Sequence, residues 1–434
     1  MNKPINELVL ALYSAVVWCA QPFVRRKMAR RGRAEPGYLL NIEERFGRYQ
    51  QPAVQNPTQD QQFVWIHAVS LGETRAAAVL ITALRERLPT MKLLLTHGTA
   101  TGRAEGEKLL RAGDVQVWQA WDTAAATAHF VQHFQPRIGI MMETELWPNM
   151  AATCAKHHVP LVMANARMSE KTYVQTKKFD GLARPAYESL AAVWPQSAAD
   201  ADRFAKLGAS VAGVFGNLKF DALVDIAQLA LGKSWRSKAS KPVVMFASSR
   251  EGEELVLLQY LQKTGFNVQW LMVPRHPQRF KDVATLIVQH GFKVSKRSEW
   301  LDQPDITEAN TIWLGDSLGE MVMYYGMSDV ALLGGSFEPL GGQNLIESAA
   351  CACPVILGPS VFNFSEAAAL AVQAGAAFAV NAMPQAVDAA CALVESSDTL
   401  AKARTAALQF ANAHQGAAEK TAAAVVQLLG SSVG

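Results

Sequence analysis

Short apolar runs alternate with stretches of helical periodicity along most of the chain, and this alternation constrains the fold more than any other feature. Runs at 63–67 (FVWIH), 92–96, 115–118, 138–142 and 161–164 read as strands, with helical stretches at 73–88, 101–112 and 123–134 between them. Strands separated by helical segments form parallel βαβ units in a doubly wound sheet. The pattern restarts at 242–247 and continues through 268–273, 311–314, 330–333 and 354–357. The segment 223–241 reads as a linker, and 400–429 as an alanine-rich helical end. The expectation is an N-terminal segment at 1–35 and two α/β domains at 36–230 and 231–434. Such sheets bind ligands beyond the carboxyl ends of their strands. By fold analogy, two domains facing a cleft suit a donor on one side and an acceptor on the other.

Half of the 434 residues are hydrophobic and 18% are charged, enough to build large cores and to exclude disorder. The net charge, 41 − 38 = +3, gives no reason to expect a nucleic-acid partner. Cys19, Cys154, Cys351, Cys353 and Cys391 form no CxxC pair, and an odd count is a poor disulfide framework. They read as small buried hydrophobes in a reducing compartment.

Residues 8–23 (LVLALYSAVVWCAQPF) carry no charge, and Arg25, Arg26, Lys27, Arg30, Arg31 and Arg33 follow them. A cleaved signal peptide places its charges before the apolar core and a small-residue site after it. Here the order is reversed, so the segment reads as an uncleaved signal-anchor or transmembrane helix. The positive flank then puts the body of the chain on the cytoplasmic side. It is short for a span, which typically takes ~20 residues. A helix lying in the membrane interface, arginines on anionic headgroups, is the second reading. A buried core helix is the third.

Several motifs sit at strand ends. HAVSLGE (67–73) places Glu73 in the first turn of a helix, where the positive helix end favours an ionised carboxylate. It is a candidate general base or a helix cap. METELWPN (142–149) carries Glu143 and Glu145, either as functional carboxylates or in structural ion pairs. NARMSEKT (165–172) and GNLKFD (216–221) supply Arg167 and Lys219, cations suited to an anionic substrate. In VPRHPQR (273–279), Pro274 and Pro277 stiffen the backbone around Arg275 and His276. GDSLGE (315–320) and GGSFEPLGGQNLIE (334–347) are glycine-rich, each ahead of a helix, and suit a nucleotide phosphate. There is no GxxxxGK[ST] and no GxGxxG; His129 and His133 lack the HExxH context, and Asp200–Ala201–Asp202 is a bare DxD.

In this order, from RFG at 45–47 to Asn363–Phe364, the motifs resemble those of the 3-deoxy-D-manno-octulosonic acid (Kdo) transferases of lipopolysaccharide synthesis. The resemblance implies a GT-B architecture of two Rossmann-like domains with an N-terminal anchor in the bacterial inner membrane. It implies inverting transfer of Kdo from CMP-Kdo to the lipid A precursor (lipid IVA). Glu73 matches the family's general base, and Glu143 and Lys219 match positions assigned to transition-state stabilisation. Pro274, Arg275, Ser317, Leu318, Gly319, Glu320, Asn344, Leu345, Ile346 and Glu347 match CMP-binding positions. No metal or other cofactor is expected, because a nucleoside monophosphate leaving group can be stabilised by cations and helix N-termini. His97 and Ala100 stand where the family more often has a threonine-rich run. Arg250 and Gln343 stand where histidine is common.

Overall fold

The structure, a computed structural model, describes residues 3–55, 62–265, 267–301, 303–304 and 310–431. The chain forms two compact units, one of residues up to 221 together with the segment from 415, the other of residues 222–414.

The first unit is built on six strands: β1 (Phe63–His67), β2 (Lys92–His97), β3 (Val115–Trp118), β4 (Ile138–Met142), β5 (Leu161–Ala166) and β6 (Ala192–Pro195). Their order is β3-β2-β1-β4-β5-β6, with every neighbouring pair parallel. This is the doubly wound order, with chain reversal between β1 and β4. Alternate side chains of each strand serve opposite faces. Trp65, Leu94, Met141 and Met163 belong to one core, and Val64, Ile66, Leu95, Ile140 and Val162 to the other. Trp65 explains the glycine opposite it on β4: a Cβ on Gly139 would lie 2.7 Å from the indole.

The second unit has seven strands: β7 (Val243–Ser249), β8 (Gln269–Pro274), β9 (Lys293–Lys296), β10 (Thr311–Leu314), β11 (Val330–Leu333), β12 (Val355–Leu357) and β13 (Ala377–Ala379). Their order is β13-β12-β11-β7-β8-β10-β9, again parallel throughout.

The C-terminal helix Ala417–Ser431 differs from the expectation that 231–434 forms one domain. It packs on α2 (Leu71–Arg87) of the first unit. Its small side chains Ala417, Ala418 and Ala422 join the core of Val64 and Ile66. The Asp221 carboxylate accepts from the backbone N–H groups of Gly416 (2.5 Å) and Ala418 (2.6 Å), satisfying donors at the helix start.

The apolar N-terminal stretch lies within α1 (Lys3–Ala34). One face of this helix is docked on the first unit. Tyr13 donates to Asp122 (2.9 Å), Ser14 to Asn149 (2.8 Å), and the Trp121 indole to the Val17 carbonyl (3.2 Å). Arg25 pairs with Glu43 at 2.5 Å and stacks on Phe46. Leu8, Leu12, Val16 and Phe23, spaced along one helical stripe, are exposed. Among the described residues, α1 is the one helix long and apolar enough to cross a membrane.

Candidate active site

Glu73 reaches its position through the turn from β1 to α2. Ser70 caps α2, its hydroxyl accepting from the Glu73 N–H. The Glu73 carboxylate folds back, accepting from the Val69 N–H (2.9 Å) and the Ser70 hydroxyl (3.0 Å). The residue is therefore both a partner of the Ser70 cap and a carboxylate at the strand's carboxyl end. The helix-terminus argument favours an ionised group, but burial overrides it. Burial, helped by the negative charges of Glu143 and Glu145, raises the carboxyl to about 7 against the two hydrogen bonds. A carboxyl poised near neutrality has the protonation range of a general base.

Glu143 follows β4 with φ 58° and Asn165 sits in β5 with φ 52°, both in the left-handed region. The Glu143 carboxylate, nearly buried, takes the Arg167 guanidinium at 2.9 Å and the Lys219 ammonium at 3.4 Å. Asn165 brings Lys219 in: its Oδ1 accepts from the Leu218 N–H at 3.0 Å, fixing the turn Leu218–Asp221. The Asn165 Nδ2, buried, has no partner among the described residues. Three separate sequence motifs thus meet as one carboxylate between two cations. Glu145 makes no ion pair among the described residues, and burial raises its carboxyl.

Two buried histidines underlie the turn. Burial holds His67 down to about 3 and His97 to about 4, so both are neutral. The His129–His133 and Asp200–Asp202 pairs have structural partners. His129 and His133 bond the backbone carbonyls of Gly47 and Gln51 (the latter at 2.9 Å). Asp200 accepts from the Met168 N–H at 2.7 Å, and Asp202 pairs with Lys206 at 2.5 Å.

The second unit gathers the nucleotide-binding candidates at the carboxyl ends of β7, β8, β10 and β11. Pro274 ends β8, and the Arg275 N–H donates to the Ser249 carbonyl at 3.0 Å, leaving its exposed side chain beyond the strand end. Arg279 pairs with buried Glu254 at 2.7 Å. Burial, then the charges of Arg250, Arg275 and Arg279, lower the His276 imidazole, so these cations cluster. Ser317 donates to Glu320, which also takes Arg297 at 2.9 Å; Leu318 is 72% exposed, and Gly319 has φ 80°. Asn344 accepts from the Ile346 N–H at 3.1 Å, while Leu345 and Ile346 are buried, so those two offer backbone rather than side chains. Glu347 is partly buried at the start of the helix Ile346–Ala350.

Sequence reasoning missed the residue that shapes the glycine-rich loop. Buried Glu253 accepts from the N–H groups of Gly335 (2.8 Å), Phe337 (3.0 Å) and Arg250 (2.9 Å). Its signal was the acidic pair Glu253–Glu254 just after a strand, which resembles an ordinary helix start.

Two parallel α/β units, with chemistry-bearing side chains at the carboxyl ends of their strands, define a GT-B fold. Solved structures agree on it. A glycosyltransferase from Rickettsia africae superposes with a TM-score of 0.54 at 13% identity, covering 85% of this chain and 98% of that one. The UDP-GlcNAc 2-epimerase of Neisseria meningitidis gives 0.55 at 13% identity, covering 84% and 98%. The family described as 3-deoxy-D-manno-octulosonic-acid transferase (kdotransferase) matches residues 40–222. The 3-deoxy-D-manno-octulosonic acid transferase of Bordetella pertussis is 38% identical over 442 residues, covering 99% of this chain and 100% of that protein. The chain belongs to the Kdo transferase family of glycosyltransferases.

Proposed function

We propose that this chain transfers Kdo from CMP-Kdo to the lipid A precursor lipid IVA in lipopolysaccharide synthesis, with inversion and with Glu73 as general base. The observation that carries the role of Glu73 is its carboxyl: partly buried, at the carboxyl end of β1, and raised to about 7. In its ionised form it takes the proton of an acceptor sugar hydroxyl. The freed oxygen bonds to the anomeric carbon of Kdo as the bond from that carbon to the CMP phosphate breaks. CMP leaves with the bonding pair, and a single displacement of this kind inverts the anomeric centre.

The Glu143–Arg167–Lys219 cluster supports charge stabilisation during the step. Glu143 holds the two cations in fixed positions, and preorganised cations stabilise developing negative charge without reorganising. Kdo carries a carboxylate, which suits them. The CMP phosphate suits the cation cluster at Arg275, with 317–320 and 344–347 as its nucleotide contacts. A monophosphate leaving group bears little enough charge for these groups to neutralise, so no metal is required in this reading.

The acceptor is a lipid, and α1 supplies a reason for the chain to meet it at the cytoplasmic face of the inner membrane. With one face bonded to the first unit, α1 has the stripe of Leu8, Leu12, Val16 and Phe23 left to offer lipid. The exposed Arg26, Lys27, Arg30, Arg31 and Arg33 suit anionic headgroups. Docking along one side favours a helix lying in the interface over one crossing the bilayer.

Full-length protein given CMP-Kdo and lipid IVA releases CMP, and Glu73→Ala abolishes that release. Turnover by the Glu73→Ala protein at the native rate removes the assigned role. Mass spectrometry of the product counts the Kdo units added.

A further inference from the structure

We infer that His97 is a positioning residue for Glu73, acting through the peptide group that joins Ala68 to Val69. This rests on Glu73 being the base. The two ends of that one peptide group are held from opposite sides. Its N–H, on Val69, donates to Glu73 Oε2 at 2.9 Å. Its carbonyl, on Ala68, accepts from His97 Nδ1 at 2.9 Å. A carbonyl can only accept, so His97 carries its proton on Nδ1, and its Nε2 has no partner among the described residues. A donor on the carbonyl fixes the plane of the amide and polarises it, strengthening the N–H bond on the other side. The chain runs imidazole, peptide, carboxylate.

The surroundings are built to keep this arrangement. Burial holds the ring neutral, with His97 lowered to about 4. The following residues clamp the next carbonyl: Val69 O accepts from the Gly98 N–H (3.1 Å), the Thr99 N–H (3.0 Å) and the Thr99 hydroxyl (2.9 Å). The helix α3 (Ala100–Glu107) turns two glycines toward the clamp. A Cβ on Gly102 would lie 3.1 Å from Val69 O, and one on Gly106 would lie 2.7 Å from His97 Cε1. A side chain at Gly106 would push the ring off the peptide, and one at Gly102 would crowd the Val69 carbonyl. The charged and titratable groups around the pair are Glu143 and Glu145 from the segment after β4, His67 from β1, Arg45 on the Gly98 carbonyl, and Arg103 of α3.

The bond from Val69 pulls the Glu73 carboxyl down against burial, so loosening it raises the carboxyl further. The test is the pH profile of kcat/KM for CMP release by full-length protein with CMP-Kdo and lipid IVA. His97→Leu fills the space without a donor and moves the acid limb up by about half to one pH unit, the scale of one hydrogen bond. Turnover at neutral pH falls about two- to fivefold, and KM for CMP-Kdo stays unchanged. His97→Asn places an amide donor near the Nδ1 position and keeps the native limb. His97→Gln places its amide near Nε2 and behaves like the leucine variant. A folded His97→Leu protein with the native acid limb overturns the inference. So do Asn and Gln variants with identical profiles, which decides the matter if the leucine variant does not fold. Glu73→Gln separates the underlying reading: if the acid limb survives in it, Glu73 is not the base. If the limb disappears there but stays in place in His97→Leu, the base stands and the role of His97 falls.

Discussion

Replacing Glu73 with glutamine should make the protein more stable at pH 8 and no more stable at pH 4.5. In the native protein the carboxyl stands at about 7, against an ordinary 4.5. Below pH 4.5 the folded and unfolded chains both hold the proton, and burial carries no ionic penalty. Between 4.5 and 7 the unfolded chain ionises while the folded one keeps its proton, so stability is lost as pH rises, the loss being complete above about 7. A rise from 4.5 to about 7, at ~1.4 kcal/mol per unit, amounts to ~3 kcal/mol. Glutamine never ionises and escapes this. It has one carbonyl oxygen where the carboxylate uses two, for Val69 N–H and the Ser70 hydroxyl. The hydroxyl can turn and accept from the amide, so about one bond weakens, ~1 kcal/mol. The net gain is ~2 kcal/mol at pH 8, a rise of roughly 4–8 °C in the melting transition of the first unit. At pH 4.5 the variant melts at or slightly below the native temperature. Melting curves of both proteins at the two pH values decide it. An equal difference at both pH values refutes a buried carboxyl raised by its surroundings.

Other outcomes follow from the same geometry. Glu143→Gln removes the charge that holds Arg167 and Lys219, and kcat should fall ~10²-fold or more in steady-state assays while the fold is retained by circular dichroism. Glu253→Gln weakens the anchoring of the N–H groups of Gly335, Phe337 and Arg250, so CMP should bind about tenfold more weakly by calorimetry, with melting of the first unit unchanged. Leu12→Glu with Val16→Glu places charges on the exposed stripe of α1, and co-sedimentation with phosphatidylglycerol vesicles should drop severalfold without loss of CMP binding.

Much of the fold was legible because buried strands write themselves as apolar runs. The ranges of β1, β3, β4, β10 and β11 coincide with runs in the sequence. The strands that escaped, β6, β9 and β13, are all at sheet edges. An edge strand has one neighbour, and β9 (KVSK) is only partly buried, so no apolar run marks it, while β6 (AVWP) and β13 (AFA) are apolar but only 4 and 3 residues long. The return of the C-terminal helix to the first unit was not legible, since it depends on Asp221 meeting Gly416 and Ala418 across 195 and 197 positions. At the site, motif spacing found Glu73, Glu143 and Lys219 as separate candidates. It did not reveal that Glu143 and Lys219 pair, nor which protonation state Glu73 holds. Both depend on burial and on neighbours brought in by other strands, and a local helix-end argument gave the opposite sign for Glu73.

In each unit, features that stability alone does not call for lie at the carboxyl ends of the strands. Glu143, Asn165 and Ser248 take positive φ at the ends of β4, β5 and β7, where a side-chain-bearing residue is strained by ~1–3 kcal/mol. Asn165 adds a buried amide nitrogen without a partner, and Glu73 adds a carboxyl raised by burial. Each could be relieved by a glycine, a smaller side chain or a neutral isostere. Each is instead held by well-made contacts: Leu218 on Asn165, Arg167 and Lys219 on Glu143, Val69 and Ser70 on Glu73. The cores beneath, with Trp65, Ile66, Phe246 and Leu332 fully buried, are large enough to offset them. Positive φ also occurs at turns and helix ends such as Gln135 and His158; strain kept at the ends where substrates of doubly wound sheets bind is what selection for transfer, rather than for stability, leaves behind.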